Sequence, residues 1–124
     1  MSASEHINET LFHGTSRKFK AGDLILPPAQ TGAQRNWGAK SKNDPNLAYA
    51  TDNLQDARYY GSVSKILNDR SDARTRVYEV EPVNPETAGW TETKFRGGSL
   101  RQHTSPEGYR VLRRAYIDRN SPSR

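Results

Sequence analysis

Residues 47–67 read LAYATDNLQDARYYGSVSKIL, and this stretch decides the fold because its hydrophobic period changes in the middle. Leu47 to Thr51 predicts a strand. At Asp52 the pattern turns helical, with Asp52 as an N-cap and Gln55 three residues on in the manner of a capping box. Leu54, Ala57, Tyr60, Val63 and Leu67 then recur at spacings of three and four, which places them on one helix face and Asp56, Arg58 and Lys65 largely elsewhere.

Working outward, Thr10 to Thr15 reads as a short strand and Asp23 to Leu26 as another, closed by Pro27-Pro28, which cannot donate ladder hydrogen bonds. Ala29 to Asn46 has neither period and reads as a long loop, the kind that often serves as a functional lid. Beyond the helix, Asn68 to Arg74 is a turn. Arg76 to Pro82 and Tyr109 to Ile117 are the two best strands, the second with Tyr109, Val111, Ala115 and Ile117 on one face and Arg113 interrupting. Val83 to Gly108, rich in Gly, Pro and Thr, reads as a further connecting segment. One helix among strands and long loops, without strand–helix alternation, implies an α+β domain with a mixed or antiparallel sheet. Neither G-x-G-x-x-G nor G-x-x-x-x-G-K-[ST] is present, so a nucleotide site here needs other devices.

The 124 residues have room for one core. Residues 10–117 are expected to form the domain, with 1–9 a flexible arm and 118–124 a flexible tail. The mean hydropathy of -0.99 resembles that of a disordered chain, but 9% aromatics and the Val, Leu, Ile and Tyr runs supply apolar surface that such chains lack. No apolar run reaches membrane-spanning length and residues 1–9 do not look like an export signal, so a soluble, cytoplasmic monomer is expected. There is no cysteine, and His6, His13 and His103 are scattered, so no metal is expected.

The formal charge of +5 is unevenly spread: residues 94–124 hold eight Lys/Arg against two Asp/Glu. Such a patch attracts phosphates by Coulomb steering. Phe12-His13-Gly14-Thr15 puts an imidazole at a strand end beside a glycine whose backbone a ligand can approach closely. Tyr49 closes the next strand and Tyr60 follows on the helix, and two such rings can sandwich a flat heteroaromatic ring. Taken singly, each tyrosine reads more readily as core packing than as a ligand-binding ring.

Together and in this order, the pieces resemble the ADP-ribosyltransferase superfamily, in its His-Tyr-Glu branch with the diphtheria-toxin and poly(ADP-ribose) polymerase catalytic domains. His13-Gly14-Thr15 matches H-G-[ST], Tyr49-Ala50-Thr51-Asp52 the tyrosine strand, and Ala57 with Tyr60 the small residue and second tyrosine of the helix. Phe12 to Thr15, Ala21-Gly22-Asp23-Leu24 and Val80-Glu81-Pro82 look most like the compact rifamycin-modifying enzymes, over residues 10–117. The resemblance implies a compact split sheet with one main helix and long loops. For matching positions it implies that Gly14 holds the nicotinamide carboxamide, Tyr49 and Tyr60 stack on its ring, and His13 with Thr15 bonds the ribose. Thr51 and Ala57 complete the NAD site. The catalytic set would be His13, Tyr49 and a carboxylate, Glu107 by its place before the last strand or Glu86 by its place after Val-Glu-Pro. Arg96, Arg101 and Gln102 could reach the pyrophosphate or shape the acceptor site.

The implied activity is mono-ADP-ribosyl transfer from NAD with release of nicotinamide, a glycosyltransferase reaction. The acceptor could be a protein, a nucleic acid or a small hydroxylated molecule. The basic C-terminal quarter and the apolar-poor loop from Ala29 to Asn46 argue against rifamycin as its main form. Water in place of an acceptor would make the chain an NAD glycohydrolase. Two readings compete: a non-catalytic module of this fold that binds NAD, ADP-ribose or a partner, and a small basic nucleic-acid-binding protein using Arg110, Arg113 and Arg114.

Overall fold

The computed structural model describes residues 10–31, 44–67 and 74–117. The elements in chain order are β1 (Leu11–Thr15), β2 (Leu24–Ile25), α1 (Pro28–Thr31), β3 (Ala48–Ala50), α2 (Leu54–Leu67), β4 (Arg76–Pro82), β5 (Gly89–Phe95), β6 (Gly98–Ser105) and β7 (Tyr109–Ile117). They form two sheets, a four-stranded one in the order β1-β4-β7-β2 and a three-stranded one in the order β3-β6-β5. Every pairing is antiparallel. The chain is therefore an α+β domain with a split antiparallel sheet and one main helix, as the pattern and the resemblance implied. Among the described residues no helix is long and apolar enough to cross a membrane.

The core follows the alternation of β4 and β7. Tyr78, Val80, Tyr109 and Val111 turn to one face of the larger sheet and cluster there with Leu11, Ile25, Ala48 and Ala50. Burying each larger aliphatic side chain contributes roughly 1.5–3 kcal/mol. The segment after β1 is pinned over this cluster: the Phe19 ring meets Tyr78 edge-on at 5.5 Å, and the Phe19 N–H donates to the Tyr78 hydroxyl at 2.8 Å.

Five sequence expectations change. Val83 to Gly108 is not a loop, since it holds the β5–β6 hairpin; its turn uses Gly97 at φ 96°, a backbone conformation suited to glycine. The Ala29–Asn46 loop begins inside the short helix α1, and its residues 32–43 lie outside the described residues. Ala115 is exposed because β7 bulges twice against β4, between the rows of Val77 and Tyr78 and between those of Glu79 and Val80, and each bulge resets which face a residue occupies. The cap of α2 is Asn53, whose Oδ1 accepts the Asp56 N–H at 3.0 Å, while Asp52 is drawn away to an ion pair. Leu54 is 37% exposed, so the face that α2 buries is centred on Ala57 and Gly61.

Candidate functional site

The two sheets meet at β1. On one side β1 pairs with β4; on the other a single rung joins it to the end of β3. In that rung the Phe12 N–H donates to the Thr51 carbonyl at 2.7 Å and the Thr51 N–H to the Phe12 carbonyl at 2.9 Å. Antiparallel alternation would make Gly14 and Tyr49 the next exchanging pair. Instead, the Tyr49 carbonyl accepts from the imidazole of His13, Nδ1 to O 2.9 Å. The ladder stops there. Gly14 shares the parity of Phe12, so its N–H and C=O face the gap where the strands part.

The state of His13 follows from this bond. A carbonyl can only accept, so Nδ1 carries the proton and Nε2 keeps its lone pair. Burial lowers the pKa of the ring, outweighing the bond to Tyr49, and so favours the neutral form. The result is an oriented imidazole with an acceptor nitrogen, one β-residue from a strand edge that presents both a donor and an acceptor.

Helix α2 crosses β1 at Gly14. A Cβ on Gly14 would lie 1.7 Å from the Ala57 carbonyl oxygen, and one on Gly61 would lie 2.7 Å from the Thr75 methyl, so two glycines and an alanine set the approach. Arg58 and Ser62 lean toward β7 and β4, reaching the Tyr116 and Thr75 hydroxyls. At 100° per residue, Asp56, Tyr60 and Val63 occupy the opposite flank, over the free edge of β1. The phenol of Tyr60 has a raised pKa from burial and then from the charge of Asp56 and the neighbouring Tyr59. The Tyr49 ring is held at its far end, where its hydroxyl accepts the Asp44 N–H at 2.6 Å.

Of the sequence-derived binding residues, His13, Gly14 and Tyr49 thus converge on the gap and Tyr60 lies on the helix flank beside it. Thr15, Thr51 and Ala57 are buried in the frame around it. The Thr15 hydroxyl accepts the Arg17 N–H at 3.0 Å and the Thr51 hydroxyl accepts the Asn53 N–H at 3.2 Å, so both serve local turns.

The two candidate carboxylates share a different corner. Glu86 follows β4 and Glu107 sits in the tight turn before β7, and both are exposed. The Thr87 hydroxyl donates to the Glu107 carboxylate at 2.8 Å, tying the two loops together. This corner lies beyond the Pro82–Tyr109 pair, whereas His13 pairs with Tyr78. Four residues of strand separate those rows, about 13 Å. The structure does not bring either acid to the imidazole.

Sequence reading missed a second polar cluster. Asp52 pairs with the buried His103 at 3.2 Å and with Arg101 at 3.4 Å, and the Arg101 guanidinium lies 4.6 Å over the Trp90 ring. The cluster ties the hairpin to the entrance of α2. Only knowledge that β6 pairs with β3 brings these residues together, and the Thr- and Trp-rich alternation of β5 was the signal available for that hairpin. In the basic strand β7, Arg110 pairs with Glu81 at 3.1 Å and Arg113 with Glu79, so two of its three arginines are balanced.

A comparison with curated proteins returned no match. The family model described as rifampin ADP-ribosyl transferase matches residues 11–115, which takes in both sheets, α2 and the gap at Gly14. With a match over most of its length, the chain belongs to the rifampin ADP-ribosyl transferase family.

Proposed function

We propose that this protein is a mono-ADP-ribosyltransferase that takes ADP-ribose from NAD, releases nicotinamide and passes the sugar to an acceptor. The observation that carries the reading is the interrupted ladder at Gly14. A primary carboxamide has one acceptor and a donor pair, the complement of the N–H and C=O that Gly14 turns to the gap, so nicotinamide would add to the edge of β1 as the missing rung. His13, neutral and fixed through Tyr49, would accept a ribose hydroxyl at Nε2. Tyr49 and Tyr60 would cover the ring from the strand side and the helix side.

Breaking the nicotinamide–ribose bond develops positive charge on the anomeric carbon and ring oxygen, as in glycoside cleavage. A fixed carboxylate stabilises such charge, and one preorganised group of this kind is worth about 3–4 kcal/mol. Glu86 and Glu107 are the acids proposed for this role. Their exposed corner, beyond four residues of strand from the row of His13, favours a second reading in which the domain binds NAD without chemistry.

The family makes rifampin the first acceptor to try, while the basic residues of 94–124 favour a phosphate-rich one. The test is titration calorimetry of NAD into the wild type, Glu86→Gln and Glu107→Gln, with nicotinamide release followed by chromatography with and without rifampin. Release that stops in one variant while binding persists identifies the carboxylate. Release that does not depend on any acceptor makes the protein a glycohydrolase, binding without release supports the second reading, and absence of binding removes both.

A further inference from the structure

The described carboxylates divide by what they touch. Asp23, Asp44, Asp52, Glu79, Glu81 and Glu107 each accept from an amide, a hydroxyl or a cation of the chain. Among the described residues, the carboxylates of Asp56, Glu86 and Glu92 have no hydrogen-bonding or ion-pairing partner. Glu86 and Glu92 are exposed and solvated, but Asp56 is half-buried.

Its position explains how it stays free. As the third residue of α2 it stands where a capping box would turn its carboxylate back onto the Asn53 N–H. That N–H donates to the Thr51 hydroxyl instead. Asp56 is also on the flank opposite Arg58, so the nearest cation of its own helix is directed toward Tyr116. What remains is an unpaired, partly desolvated negative charge one helical turn before Tyr60, over the free edge of β1. Burying such a charge costs free energy unless a cation meets it.

A cation from outside the chain would meet it if nicotinamide lies as described above. The oxidised ring bears a positive charge and the dihydro ring does not, while both dinucleotides carry the same pyrophosphate. We infer that Asp56 reads the charge of the nicotinamide ring, its carboxylate beside Tyr60 favouring NAD over NADH. This rests on the donor-site reading of the gap. Any effect of Asp56 on the pyrophosphate is common to both ligands and cancels in their ratio.

The experiment is calorimetric titration of NAD and of NADH into the full chain, as wild type, Asp56→Asn and Asp56→Glu, with a thermal melt of each. The wild type binds NAD more tightly than NADH, and raising the ionic strength narrows the preference. Asp56→Asn loses NAD affinity about three- to tenfold, as expected for one partly screened charge pair, with NADH affinity kept or improved. Asp56→Glu restores the preference. Equal losses for the two ligands, or no loss, in a folded Asp56→Asn protein overturn the inference and leave the donor site standing. Binding of neither ligand by the wild type overturns both.

Discussion

The imidazole of His13 donates to the main-chain carbonyl of Tyr49 at 2.9 Å, occupying the acceptor that a continuous sheet would give to the Gly14 amide. One side chain thereby both ends the ladder and exposes the next backbone pair. His13→Ala is expected to lower NAD affinity about three- to tenfold, the loss of one oriented hydrogen bond in a partly buried site. Calorimetry with a thermal melt checks this, and unchanged affinity in a folded variant removes the proposed pocket.

The same residue sets a pH dependence. Burial holds the His13 pKa below its ordinary 6.5, so as the pH falls the unfolded chain takes up the proton first. His13 therefore costs no stability above that value, and stability declines as the pH drops from it through the lower folded-state pKa. Protonation also turns Nε2 from acceptor to donor, which weakens NAD binding at the lower end of the window. Melting curves of wild type and His13→Asn between about pH 7 and 5 should converge in slope above and separate below, the wild type losing more.

Gly14→Ala tests whether the helix sets the spacing of the site. The added Cβ would meet the Ala57 carbonyl at 1.7 Å, and main chain cannot swing aside as a long side chain can. A loss of at least about 3 kcal/mol is expected, above the ordinary cost of overpacking, by chemical denaturation. A variant of near wild-type stability would mean that α2 is not held against β1 as described.

Tyr109 offers a change in the opposite direction. Its hydroxyl is buried without a partner among the described residues, and burial pushes its pKa well up. Tyr109→Phe removes an unpaired polar atom and keeps the ring, so it should stabilise by about 1 kcal/mol, the cost of one unsatisfied buried group. The melting temperature should rise by about 3–5 °C in a domain of this size. A fall would mean that an internal water satisfies the phenol.

How much of this was legible in the sequence depended on side-chain patterning. β4 and β7 bury one face against a core, so alternation marks their ends, and the switch from strand to helix at residues 47–67 shows in the change of period. The β5–β6 hairpin has no such contrast, because Thr91, Glu92 and Lys94 are all exposed and the strand is held by its main chain. Arg96 and Gly97 make its turn, inside a segment whose Gly and Pro content reads as a connection. Ala115 went to the wrong face because bulges leave no trace in hydrophobic period.

The site was legible as residue types and illegible as geometry. His13, Gly14, Tyr49 and Tyr60 stood out by order and spacing. That a ring nitrogen of His13 would reach a carbonyl 36 residues away depends on where two strands diverge, which no local pattern encodes. The cap was misplaced by one residue because Asp52 and Asn53 are both good caps, and only the distant Arg101 and His103 decide between them.

The strand order β1-β4-β7-β2 has a kinetic meaning. The hairpin of β5 and β6 closes on neighbouring residues, but in the larger sheet β1 pairs with β4 and β2 with β7, and such distant pairings close slowly. During synthesis, β2 waits unpaired until the last strand emerges to fill the place between it and β4. A chain cut short before Tyr109 would carry every proposed donor-site residue but lack the strand that joins β2 to β4 and closes the core over them.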